Sequence, residues 1–113
     1  MGVVYHSNYL IWMEVGRVDY CRAAGFNYKE MEADGILLAV AEASCRYLSP
    51  ARYDDEVTIT TTVQTGNRRM MTFSYEMTCG ERRIATGWTK HIFLDRSMKP
   101  ARLPEKYLLY FGL

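Results

Sequence analysis

The chain has 113 residues, a formal net charge of +1, 24% charged residues and 49% hydrophobic residues. That suits one domain with its own apolar core rather than a disordered segment, and it excludes a general electrostatic pull toward nucleic acid or an anionic membrane. No apolar run nears the roughly 20 residues that span a bilayer, and no charged-then-apolar leader opens the chain, so a soluble cytoplasmic protein with no stable membrane insertion is expected.

A helix is expected from about Ser7 to Ala24, because Tyr9, Trp12, Met13, Gly16, Tyr20 and Ala23 recur at helical spacing. Glu14, Asp19 and Arg22 fall toward another side. Either Ser7 or Asn8 caps its start, and Gly25 ends it in the left-handed conformation. Gly16 inside the helix costs about 1 kcal/mol relative to alanine, which points to close packing against a sheet. Tyr28 to Ala33 reads as a short second helix or turn, closed by Asp34-Gly35.

From Ile36 the pattern becomes that of strands. Ile36 to Tyr47 is one run, stopped by Ser49-Pro50, and Glu56 to Thr65 is a second, with Val57, Ile59 and Val63 on one face. Gly66-Asn67 marks a turn. Arg69 to Cys79 alternates strictly, with Met71, Phe73, Tyr75 and Met77 on one face. Cys79-Gly80-Glu81 is a tight hairpin into a strand from Arg82 to Leu94, and Glu105 to Phe111 reads as a short C-terminal helix.

Long antiparallel strands with one apolar face need a cover, and the first helix is the only long amphipathic element. A curled antiparallel sheet around one helix follows, an α+β fold in a single domain. Cys21, Cys45 and Cys79 are odd in number and widely spaced, and His6 and His91 are too isolated to complete a zinc set with them. Buried free thiols of a reducing compartment are expected.

The opening stretch, with Gly2, Val3, Val4, Tyr5, His6, Asn8, Tyr9, Glu14 and Arg17, resembles the start of the long helix in hotdog-fold acyl-CoA thioesterases of the YbgC and 4-hydroxybenzoyl-CoA thioesterase family. Tyr47-x-x-Pro50-Ala51-Arg52-x-Asp54-Asp55 is similar to that family's lead into its third strand, and Lys99-Pro100-x-Arg102-x-Pro104 to its C-terminal segment. The resemblance therefore runs through nearly the whole chain. It implies the hotdog fold, hydrolysis of an acyl-CoA thioester, no metal or organic cofactor, and a homodimer joined edge to edge, often paired into a homotetramer, with substrate at the subunit interface. The family's catalytic aspartate and first strand lie just ahead of the glycine matched by Gly2, so residues 1–113 are expected to be a domain shortened at its N-terminus.

Thioester hydrolysis requires a base or nucleophile, a donor for the developing oxyanion and a grip on coenzyme A. The resemblance assigns the donor to the backbone N–H of His6, at a helix start where unpaired amides and the dipole favour negative charge, with Tyr5 beside it. The His6 side chain either caps and packs or touches substrate or the catalytic carboxylate. Asn8 either orients a water or caps the helix, and Tyr9 belongs to the pocket or the core. Glu14 is the fallback base, unless it merely pairs with Arg17 three residues on. Glu42, in an otherwise apolar strand, sits at a solvated edge or approaches a partner's site.

Arg68 and Arg69, in the turn after Gly66-Asn67, are the candidates for the coenzyme A phosphates, because guanidinium pairs bidentately with phosphate oxygens. Arg82-Arg83 reads as solvated charge and His91 as a strand residue without a partner. Two further readings stand beside hydrolysis: a non-catalytic acyl-CoA-binding or structural hotdog protein, and a hotdog dehydratase. The dehydratase wants prolines around its histidine, which His6 lacks. One Arg-Arg turn at this net charge does not make a nucleic-acid partner.

Overall fold

The computed structural model describes residues 7–113. Helix α1 spans Ser7–Ala24 and α2 Tyr28–Ala33; the strands are β1 Leu37–Tyr47, β2 Thr58–Gly66, β3 Met70–Cys79 and β4 Arg82–Leu94. A short helix α3, Glu105–Leu108, continues into a 3₁₀ turn over Leu109–Phe111. The expected elements are all present, with ends moved by one or two residues.

The strands form one antiparallel sheet in the order β1-β4-β3-β2. β2, β3 and β4 are a meander, and β1 returns to pair with β4, so β1 and β2 are the outer strands among the described residues. The β3 alternation holds throughout: Met71, Phe73, Tyr75 and Met77 are all buried on the face that α1 covers. A register shift beside Met77 leaves Ile84 without a direct partner on β3, and both Ile84 and Ala85 are buried.

Gly16 lets α1 approach the sheet closely, and Gly25 ends the helix. A Cβ on Gly16 would stand 2.5 Å from Thr61 Oγ1 and 3.1 Å from Ile59 Cγ2, so the close packing expected at that position is present. At the end of α1, Gly25 has φ +106°, and the N–H groups of Gly25 and Phe26 both donate to the Cys21 carbonyl, which closes the helix as its sequence required.

The inward stripe of α1 differs from expectation in two places. Ala23 is exposed, while Arg17 is buried. Arg17 stands four residues from both Met13 and Cys21, each fully buried, so it lies in the middle of the apolar face. Of the three free cysteines Cys21 is buried, whereas Cys45 and Cys79 are half-buried.

The C-terminal segment closes the far end of α1. Leu103 N–H donates to the Arg68 carbonyl at 2.7 Å and Arg68 Nε donates back to the Leu103 carbonyl at 2.8 Å. Asp34 accepts from Tyr107 Oη at 2.5 Å and pairs with Lys106 at 2.7 Å. Phe111 then packs among Tyr20, Phe26 and Phe73.

Candidate active site

α1 crosses the inner face of the sheet from one end to the other. Its start lies at the end holding Tyr47: the Tyr9 ring meets Tyr47 edge-on and Trp12 at a tilt, both with centroids 4.9 Å apart. Its last turn lies at the end holding Phe73, Phe111 and the Gly66-Asn67 turn. With 18 residues the helix is about 27 Å long. The first-turn amides, which have no partner inside a helix, therefore stand at the Tyr47 end.

Tyr5 and His6, with the His6 amide, lie outside the described residues. Asn8 is half-buried in the first turn of α1. Tyr9 is 3% exposed and belongs to the core cluster.

Glu14 is exposed, and the expected alternative of a Glu14–Arg17 ion pair is corrected: Arg17 turns inward instead. Its Nη1 donates to Tyr75 Oη at 3.2 Å and stands 3.5 Å from Thr89 Oγ1. Tyr75 Oη and Thr89 Oγ1 are 2.6 Å apart, and Thr89 Oγ1 is 2.8 Å from His91 Nε2. His91, expected to lack a partner, is thus fully buried and hydrogen-bonded. Burial first, and then the nearby Arg17 charge, push its pKa down to about 4.

Arginine can only donate, so one polarity suits these bonds, and it leaves the ring proton on His91 Nδ1, a buried atom with no hydrogen-bond partner among the described residues. Tyr75 accepts from Arg17 and donates to Thr89, and Thr89 donates to Nε2 of a neutral His91. The same surroundings raise Tyr75, mainly by desolvation, and push Cys21 up to about 11 for the same reason, so neither is a nucleophile at neutral pH.

The two arginines proposed for phosphate are not equivalent. Arg68 is committed to the Leu103 carbonyl and lies 3.7 Å from Glu105, so it fastens the C-terminal segment. Arg69 is exposed at the tip, while Asn67 Oδ1 accepts from the N–H groups of Arg69 and Met70. Within one protomer this turn stands at the opposite end of the sheet from the start of α1. Arg82, expected to be solvated charge, is exposed and pairs with Asp55 at 3.0 Å. Glu42 is exposed on the outer strand β1, beside the register shift that follows Val40.

An open groove of about 470 Å³ runs between α1 and β2, with Val15, Tyr20, Val57 and Ile59 among its walls. The signal for Arg17 was present in the sequence, since its spacing from Met13 and Cys21 is helical. The nearby Glu14 offered a simpler partner. Tyr75 carried a signal too, as a hydroxyl on a strictly buried face, but Thr89 and His91 could be joined to it only through the register of β3 on β4.

A family model described as the thioesterase-like superfamily matches residues 1–109. YneP of Bacillus subtilis, whose name provisionally makes it an acyl-CoA thioesterase, is 34% identical over 110 residues, covering 95% of this chain and 79% of the relative. The solved DHNA-CoA thioesterase from Staphylococcus aureus superposes with TM-score 0.86 at 33% identity, over 99% of this chain and 74% of that one. The protein AQ1494 of Aquifex aeolicus gives TM-score 0.91 at 30% identity, over 97% and 86%. The sheet curled about one helix is accordingly the hotdog fold.

Proposed function

The chain belongs to the thioesterase-like superfamily, and from that membership and the position of α1 we infer that it hydrolyses the thioester of an acyl-CoA to a free acid and coenzyme A. The observation that carries the reading is α1 itself: a long helix laid across the sheet with its first turn at the Tyr47 end, where a helix leaves its amides without intrahelical partners.

In this reading the carbonyl oxygen of the thioester points at the helix start, where the N–H of His6 and the dipole meet the charge that develops on it. A carboxylate takes a proton from water as the water oxygen bonds to the carbonyl carbon. The tetrahedral adduct then collapses, the carbon–sulfur bond breaks, and the coenzyme A thiolate leaves and is protonated. In the family the resemblance points to, that carboxylate lies upstream of the stretch matched by Gly2; within residues 1–113 Glu14 is the candidate.

The substrate lies at the interface of a homodimer. Leu10, Ile11 and Val15 support this, since these apolar residues of α1 stand 47%, 55% and 47% exposed. The outer strand β1, with Val40 52% exposed, supports it as well. A homotetramer is this dimer paired once more. Arg69 is the phosphate contact, serving coenzyme A bound across the interface, while Arg68 belongs to the fold. Three free thiols fit a cytoplasmic setting.

The test is release of free thiol from a panel of aliphatic and aromatic acyl-CoA esters, with calorimetric binding measured alongside. Turnover of at least one ester above the uncatalysed rate is expected. Binding without turnover would establish the alternative, a non-catalytic acyl-CoA-binding protein, and absence of both would remove each reading.

A further inference from the structure

Among the described residues Arg17 is the one Lys, Arg, Asp or Glu side chain that is buried, and no carboxylate pairs with it. A guanidinium taken out of water and met only by hydroxyls loses more hydration than it regains, so it is a poor way to stabilise a fold. A methionine in the same space would cost less. What Arg17 supplies that methionine cannot is direction. Its Nη1 reaches Tyr75 on β3 and Thr89 on β4, the two central strands of the sheet.

Much of the contact beneath α1 is adaptable. Beside the aromatic contacts of Tyr20 with Phe73 and Phe111, Met13, Met71 and Met77 are fully buried, and methionine adapts to small displacements because it is unbranched and has three rotatable bonds. Gly16 sets how closely the helix approaches β2 but not where it stops along its axis. The hydrogen bonds of Arg17 do set that position, because sliding the helix by one residue, about 1.5 Å, would pull Nη1 away from both acceptors. The acceptors are themselves held: Tyr75 bonds Thr89, and Thr89 bonds His91.

We propose that Arg17 is a positioning residue, which fixes the axial register of α1 on β3 and β4 and so the location of the amides at the start of the helix. The proposal rests on the preceding reading of that helix start as the oxyanion donor. Arg17 stands ten residues from Ser7, about 15 Å along the axis, and touches no substrate. Its effect passes through the rigid helix. Oxyanion donors act within a narrow range of distance, and a misplacement near 1 Å costs up to about 100-fold in rate.

The test compares Arg17→Met, Tyr75→Phe and the double variant, with Cys21→Ala as a packing control beneath the same helix. Arg17→Met is expected to melt within a few degrees of the parent while kcat per folded molecule falls about 10- to 100-fold and KM changes less than about threefold. Tyr75→Phe should lower kcat in the same direction and add nothing in the Arg17→Met background. Amide chemical shifts of residues 8–12 should move in Arg17→Met and stay in place in Cys21→Ala. Additive losses, or a kcat that falls only as the folded fraction falls, would overturn the proposal. If Arg17→Met does not fold, Tyr75→Phe decides by the same measurements. A parent chain with no thioesterase turnover would defeat the functional reading alone; the amide shifts would still decide whether Arg17 positions the helix.

Discussion

The terminal methyl of Met13 fills the space that a Cβ on Gly87 would need, so helix α1 rests on the sheet at a place where β4 carries no side chain. The same Cβ would meet the Ser44 carbonyl oxygen of β1 at 2.5 Å. Met13 can swing aside; a backbone carbonyl in a paired strand cannot without disturbing its neighbours. Gly87→Ala is therefore expected to destabilise the protein by about 1–3 kcal/mol, as overpacking does. Urea unfolding measures it, and an unchanged midpoint would contradict the packing described.

Acid stability should depend on His91. Its folded pKa is pushed down to about 4, against roughly 6.5 in an unfolded chain. Between those values the unfolded chain takes up a proton that the folded chain refuses. The stability present at pH 7 is therefore lost as pH falls from about 6.5 toward 4, by up to roughly 3 kcal/mol. His91→Gln, which can still accept from Thr89, should flatten this dependence. Parallel curves of urea midpoint against pH for the two proteins would refute it.

Arg68 and Arg69 should separate cleanly. Arg68→Ala removes the donor to the Leu103 carbonyl and should lower stability by about 1–2 kcal/mol, with KM for an acyl-CoA little changed. Arg69→Ala should leave stability unchanged and raise KM for an acyl-CoA. A short pantetheine thioester, which lacks the phosphates, should be unaffected by it. Equal effects of Arg69→Ala on both substrates would remove that arginine from the ligand.

Glu14→Gln tests the candidate carboxylate. If Glu14 is the base, kcat falls by a factor of about 10²–10⁴ with the fold intact. An unchanged kcat removes Glu14 as the base. Thiol release under saturating acyl-CoA is the measurement.

Association should follow the exposed apolar row on α1. Light scattering at micromolar concentration is expected to give at least a dimer, about twice the 13.1 kDa of the chain. Ile11→Asp, at the most exposed of the three positions, should shift the mass toward the monomer. A parent protein that stays monomeric would sink the dimer.

The sequence by itself determined the elements and their faces. Periods of two and of 3.6 are local properties, so the alternation from Met71 to Met77, the stripe from Tyr9 to Tyr20 and the stop at Gly25 could be read without knowing what they pack against. One long helix and four strands with one apolar face leave few arrangements, and the curled sheet around α1 followed. Only the tertiary structure decided which polar groups meet. Arg17 faces Tyr75 across 58 residues of chain and Thr89 across 72, through a helix position and a strand register that no local pattern encodes. By sequence distance Glu14 was the natural partner of Arg17, yet the buried hydroxyls took the guanidinium because position 17 lies on the inward face with Met13 and Cys21. The Gly66–Arg69 turn makes the same point: Arg68 and Arg69 read as candidate phosphate ligands in the sequence, but the direction in which α1 crosses the sheet put them at the end away from the helix start. Hydrophobic patterning reports how a residue faces; contact between distant residues depends on how whole elements are laid against one another, and that is settled only when the chain is folded.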